Sequence, residues 1–173
     1  MKVADEVARW LEEKGITHAF GIIGGGNVFL WDAIERRGAT RLVCAHHEQA
    51  AAMASAYFNR VVGRIGSIAL VTTGAGSTNA VTGVMAAHMD GIPLLILSGN
   101  ESSRSMGAPT RVWGVQGYNS ARLVDGIAAK ASARVMYPHA ARDALEYNHC
   151  LATTSPQGPA WIDFPKDIQS AAR

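Results

Sequence analysis

Charge of one sign is never concentrated in this chain: its 16 basic and 14 acidic side chains are interspersed, with no run of five like charges. Phosphate backbones are neutralised by clustered basic faces, so nucleic acid is not the expected partner. Cysteine is scarce. Cys44 and Cys150 lack CxxC or Cys/His ligand spacing, which excludes a disulfide framework and a zinc site and leaves two buried free thiols as the expectation. The longest uncharged stretch, Ile65 to Met89, is broken by Gly74, Gly76, Ser77, Thr78, Asn79 and His88, so no membrane span is expected. The first residues carry Asp5, Glu6, Glu12 and Glu13 where an export signal needs an apolar centre. A soluble, cytoplasmic chain follows.

What is present is material for a core: 48% of the 173 residues are hydrophobic and 17% are charged. The 18 glycines and 6 prolines are spread out and mark no linker, so residues 1–173 read as one domain. Val3, Val7, Trp10 and Leu11 recur at helical spacing, and Gly15 stops that helix. Strand-like His18–Gly21, Arg41–Ala45, Ser67–Thr72, Pro93–Ser98, Ala131–Met136 and Ala160–Phe164 then alternate with helical stretches near 27–37, 47–61, 78–89 and 140–152. Residues 74–79 (GAGSTN) read as a turn, and 100–119 as irregular. Alternation of this kind predicts an α/β fold, a parallel sheet of about six strands with helices on both faces. Ligands of such folds sit at the carboxyl ends of strands, here the loops around Gly21, Ala45, Thr72 and Ser98.

The Gly-rich turn GIIGGGN invites a dinucleotide reading, but G-x-G-x-x-G would need glycine at Phe29, or, starting from Gly74, at Asn79. A Gly-Lys-Ser/Thr phosphate loop is absent too. His46-His47-Glu48 stands between a strand end and a helix rich in small apolar residues, Ala50 to Ala54. A zinc deaminase would need a Pro-Cys-x-x-Cys partner, which the chain lacks. Glu48 is then either a first-turn acid favoured by the helix dipole or a catalytic carboxyl group.

His47-Glu48-Gln49-Ala50-Ala51 resembles the Arg-His-Glu-Gln-x-Ala signature of the pyrimidine-binding (Pyr) domain in thiamine-diphosphate enzymes of the acetolactate synthase type. Thr72 to Ala80 resembles that family's Thr-Ser-Gly-Pro-Gly-x-x-Asn turn. Asp90 to Leu95 resembles its Asp-x-x-Pro-Leu strand entry, and Gly158 to Asp167 its closing Gly-Pro-Val-x-Ile-x-x-Pro-x-Asp strand. Four motifs in the family's order span most of the chain. The resemblance implies that Glu48 hydrogen-bonds N1′ of the cofactor's aminopyrimidine. The imino form so favoured removes the thiazolium C2 proton. It also implies cofactor contacts at Glu48, Ile23, Gly24 and Gly74, and substrate contacts at Gly25 and Gln116.

His46 stands where the family has arginine, Ile23 and Ala75 where it has proline, and Val115-Gln116-Gly117 where it has Phe-Gln-Glu, so only Gln116 of that triplet is kept. The Gly-Asp-Gly run of the domain that holds Mg²⁺ and diphosphate is absent. The expectation is the Pyr subunit of a split enzyme acting on a 2-oxo acid, as an acyloin-forming carboligase with decarboxylation. Its partner would carry the diphosphate-binding domain and the Mg²⁺, in an α2β2 heterotetramer. A simple 2-oxo acid decarboxylase subunit, an excised domain and a regulatory module of the same fold are the alternatives.

Overall fold

A computed structural model describes residues 1–106, 117–125 and 129–173. Six parallel strands form one sheet: β1 (His18–Gly21), β2 (Arg41–Cys44), β3 (Ser67–Val71), β4 (Leu94–Asn100), β5 (Ala131–Arg134) and β6 (Pro159–Pro165). Their order is β2-β1-β3-β4-β6-β5. The helices are α1 (Val3–Glu13), α2 (Val28–Arg37), α3 (Glu48–Val62), α4 (Ala75–Asn79), α5 (Val81–Met89), α6 (Ala141–Thr153) and α7 (Lys166–Ser170). The expected α/β architecture is the one observed.

Strand side chains alternate between two apolar cores, as the two-residue period of a pleated strand requires. Ile68, Leu70, Leu95, Leu97, Ile162 and Phe164 point to the face covered by α1, α2, α6 and α7. Ala69, Val71, Leu94, Ile96 and Trp161 point to the face covered by α3 and α5. Burial on both faces is why β3, β4 and β6 are apolar without interruption over most of their length.

Three expectations need correction. Residues 75–79 are helical and not a simple turn: α4 begins directly after Gly74, whose φ of 64° and ψ of −134° make a chain reversal that side chains disfavour. β4 runs two residues past Ser98: Gly99 and Asn100 pair with Phe164 and Pro165 of β6, and the Ser98 and Asn100 side chains both hydrogen-bond the buried Asp163. Both cysteines are exposed. Cys44 ends the edge strand β2, and Cys150 lies on the side of α6 away from Ala141, Leu145 and Ala152. Among the described residues no helix is long and apolar enough to cross a membrane.

His149 on α6 meets the Trp10 ring edge-on at 5.7 Å. Burial holds its imidazole below the usual histidine range, Lys14 adds to that, and Glu146 opposes it. A histidine that folds as the neutral form binds fewer protons folded than unfolded, so stability is complete above about pH 6.5 and falls as pH drops through the depressed value. Urea midpoints measured at pH 7 and pH 5 will therefore drop further in the wild type than in His149→Gln. An equal drop would contradict this.

Candidate active site

The helix after β1 and the helix after β2 pack on opposite faces of the sheet, so the strand order reverses between β1 and β3. A crevice opens there at the carboxyl ends, the usual ligand position of such sheets. Two loops line it.

The first loop, residues 22–27, leaves β1. Fully buried Asn27 braces it: Oδ1 accepts from the Gly24 N–H at 2.8 Å and Nδ2 donates to the Ile22 carbonyl at 3.0 Å. Just past β3, Thr72 Oγ1 accepts the Gly26 N–H at 3.2 Å, and from α7 Gln169 Nε2 donates to the Gly26 carbonyl at 2.6 Å. A Cβ at Gly24 would fall on the Thr72 side chain, and one at Gly26 on the Thr73 side chain. Glycine is what lets this loop lie flush against the end of β3. Ile23 projects outward at 53% exposure, and a Cβ at Gly25 would meet nothing within 4 Å.

The second loop, residues 72–79, leads into α4 and α5. Ser77 Oγ donates to the Thr72 carbonyl at 2.6 Å. The buried Gly74 turns its carbonyl toward the Ser77 N–H at 3.0 Å and toward the Tyr118 hydroxyl, which donates at 2.8 Å. Burial pushes the Tyr118 phenol up to about 12, so it keeps its proton and remains a donor at neutral pH.

Glu48 is the first residue of α3. His47 caps the helix, its Nδ1 accepting the Gln49 N–H at 3.2 Å. A carboxylate here is stabilised by the helix dipole, by about 0.3–1 kcal/mol. Glu48 is nevertheless 8% exposed, an unusual burial for a glutamate. Asn79 Nδ2 donates to its Oε2 at 3.0 Å. Its other oxygen faces Gly76, where a Cβ would stand 3.0 Å from Oε1 and 2.8 Å from Thr72 Cγ2. Glu48, Gly76, Thr72 and Gly24 therefore form one continuous wall.

Of the residues singled out in the sequence, Glu48, Gly24 and Gly74 converge on this crevice, while Ile23 and Gly25 lie on its outer rim. Gln116 lies outside the described residues. Asn27, Thr72, Asn79, Tyr118 and Gln169 were not singled out as site residues; Thr72 and Asn79 carried a signal, Thr72 at a strand's carboxyl end and both as parts of the Thr72–Ala80 turn motif. Among the described residues no group of three or more His, Cys, Asp and Glu side chains could hold a metal ion.

The outer side of α3 continues from the crevice. Ala50, Ala54, Tyr57 and Val61 are exposed along it, and a groove of about 350 Å³ lined by His47, Gln49, Ala50 and Met53 opens beside Glu48. Ala51 and Ala56 of the same helix are buried, because the 3.6-residue period turns them to the sheet side.

Comparison with known proteins gives concordant results. A family model described as thiamine pyrophosphate enzyme, N-terminal TPP binding domain, matches residues 1–120. The acetolactate synthase large subunit of Buchnera aphidicola subsp. Schizaphis graminum is 35% identical over 170 residues, 95% of this chain and 28% of its own length. The acetolactate synthase isozyme 3 large subunit of Escherichia coli K12 is 34% identical over 172 residues, 98% of this chain and 28% of its own length. A probable acetolactate synthase large subunit from Methanocaldococcus jannaschii is 30% identical, over 98% of this chain and 27% of its length. The chain thus spans little more than a quarter of these relatives.

Proposed function

The chain belongs to the thiamine pyrophosphate enzyme family, as an N-terminal TPP-binding domain, and from that premise we propose that it is the pyrimidine-binding part of an enzyme acting on a 2-oxo acid, with Glu48 activating the cofactor. One observation carries the reading. A buried glutamate has one oxygen held by Asn79 and the other turned to Gly76, in a wall completed by Thr72 and Gly24.

The residues present suit the aminopyrimidine of thiamine diphosphate. Gly24 and Gly76 let the wall pack closely on Thr72 beside the carboxyl group, and Glu48 Oε1 is the proton-sharing group a ring nitrogen needs. When bound, the cofactor supplies a carbon nucleophile and an electron sink for decarboxylating a 2-oxo acid. The protein's part is orientation and a dry, suitably charged wall. Glu48 holds a proton between Oε1 and the ring nitrogen. Asn79 fixes the rotation of the carboxyl group, and Asn27, Thr72 and Gln169 fix the glycine loop. The rim at Ile23 and Gly25 is open to a substrate, and Gln116 would offer that substrate a hydrogen bond. The names of the relatives favour ligation of the decarboxylated fragment to a second carbonyl compound over simple release of an aldehyde.

The diphosphate and its Mg²⁺ belong in this reading to a partner domain, docked on the α3 face beside Glu48, in an α2β2 assembly. Titration calorimetry tests it. Pyrimidine contacts alone are a few hydrogen bonds of ~1 kcal/mol each, set against the cost of immobilising the ligand, so the chain alone will bind thiamine diphosphate feebly. Adding the diphosphate-binding half and Mg²⁺ will bring tight binding, in a complex whose mass by light scattering equals two of each. Tight, Mg²⁺-dependent binding by this chain alone would overturn the assignment.

A further inference from the structure

Tyr118 is not part of the wall that faces the crevice, yet its hydrogen bonds tie the far side of the sheet to that wall. Its hydroxyl donates to the Gly74 carbonyl at 2.8 Å, across 44 residues of sequence. Its own carbonyl is held from two sides, by Asn100 Nδ2 at 3.0 Å and by an Arg134 guanidinium nitrogen at 2.8 Å. Both of these side chains also donate to Oδ2 of Asp163, at 2.8 Å and 2.9 Å. Asp163 has no exposed surface, and its Oδ1 accepts from Ser98, which in turn accepts from the Trp161 indole at 2.8 Å. A rigid, buried polar cluster on β4, β5 and β6 thus fixes the Tyr118 backbone, and the phenol reaches out from it.

The contact point matters. Gly74 is the reversal from which α4 starts, and α4 delivers Gly76 and Asn79 to the two oxygens of Glu48. Within the turn, Ser77 Oγ on the Thr72 carbonyl is a local tie only. Tyr118 supplies a tie from a separate, fixed part of the fold.

We propose that Tyr118 is a positioning residue, which sets Asn79 and Gly76 against the Glu48 carboxyl group through the Gly74 carbonyl. Its consequence for the cofactor rests on the reading of Glu48 given above; its consequence for the turn does not. Removing the hydroxyl leaves Gly74 O with its backbone donors Ser77 and Thr78, so the fold tolerates Tyr118→Phe while the turn loses its outside anchor.

Nuclear magnetic resonance of the 173-residue chain separates the two consequences. The Asn79 side-chain amide signals, identified by their disappearance in Asn79→Ala, report the bond to Glu48 and will shift in Glu48→Ala. In Tyr118→Phe they will shift toward those positions, and the backbone amides of 77–80 will exchange about fivefold faster, the factor for one ordinary hydrogen bond. Amides of β3 and β4 will keep their rates. In the assembled enzyme the same variant will weaken cofactor binding by a similar factor, with a smaller change in kcat at saturating cofactor. Unmoved Asn79 signals and unchanged exchange at 77–80 would overturn the inference, whatever Glu48 does. Shifted signals beside a Glu48→Gln enzyme with kcat within a few-fold of wild type would sustain the positioning role and remove the reading of Glu48.

Discussion

Glu48→Gln will lower turnover of the assembled enzyme by about a hundredfold to ten-thousandfold, the span that removal of a positioned acid–base group commonly costs. Glutamine keeps the length of the side chain, an oxygen for the Asn79 amide to bond, and a polar group against Gly76. What it loses is the capacity to share a proton at the Oε1 position. Because shape and burial are conserved, cofactor affinity will fall much less than kcat, the pattern expected when an interaction made mainly on the way to the transition state is removed. Glu48→Asp keeps the carboxyl but withdraws it from the glycine wall by one methylene, and will lie between the two. Steady-state kinetics with saturating thiamine diphosphate and Mg²⁺ check this. A Glu48→Gln enzyme with kcat within a few-fold of wild type would remove Glu48 from the chemistry and leave it a first-turn acid favoured by the helix dipole.

The largest loss of stability is expected from Arg134→Met. Asp163 is fully buried, and the Arg134 guanidinium at 2.9 Å is the charge that offsets it; Ser98 and Asn100 supply neutral donors only. Removing one partner of a buried pair costs about 3–5 kcal/mol, because the other charge stays behind uncompensated. Arg134 keeps some contact with solvent, which places the expectation near the low end of that range. Burial already pushes the Asp163 carboxyl above its ordinary value despite these partners, and loss of the guanidinium pushes it further. A group raised on folding contributes stability below its unfolded value, near pH 4, and loses that contribution as pH rises through the folded value. The deficit of Arg134→Met relative to wild type will therefore grow between pH 4 and pH 8, and adding Asp163→Asn will flatten it. Urea unfolding across that range is the check; a deficit below about 1 kcal/mol that ignores pH would show that the pair is not the coupled unit described.

Much of the fold was legible because its signals are local. β1 occupies His18–Gly21 as read, and β3 ends one residue short of the reading at Thr72, since both are short apolar runs closed by polar or glycine residues. The end of β4 was not legible: Gly99-Asn100 has the composition of a loop, and only pairing with Phe164 and Pro165 across the sheet makes it strand. Strand order was equally hidden, because the reversal between β1 and β3 depends on which face each crossover helix takes. The exposure of Cys44 follows from β2 standing at the sheet edge, again a fact of order and not of sequence. In the site, Glu48 and the glycines were found through contiguous motifs. Of the residues that hold them in place, three act over a long separation, Asn79 by 31 residues, Tyr118 by 44 and Gln169 by 143, whereas Asn27 acts from only three residues away and was hidden because an asparagine ending a glycine run does not by itself show that its side chain folds back on the loop.

Exchange of the cofactor's thiazolium C2 proton for deuterium, followed by quenched-flow proton resonance in the assembled enzyme without substrate, tests most directly whether Glu48 activates the cofactor. It reads proton removal before any substrate chemistry, so neither the identity of the 2-oxo acid nor product release enters. The account predicts exchange far faster in wild type than for free thiamine diphosphate, and a fall of at least about a hundredfold in Glu48→Gln with cofactor bound to saturation. Equal exchange rates in the two enzymes would contradict it.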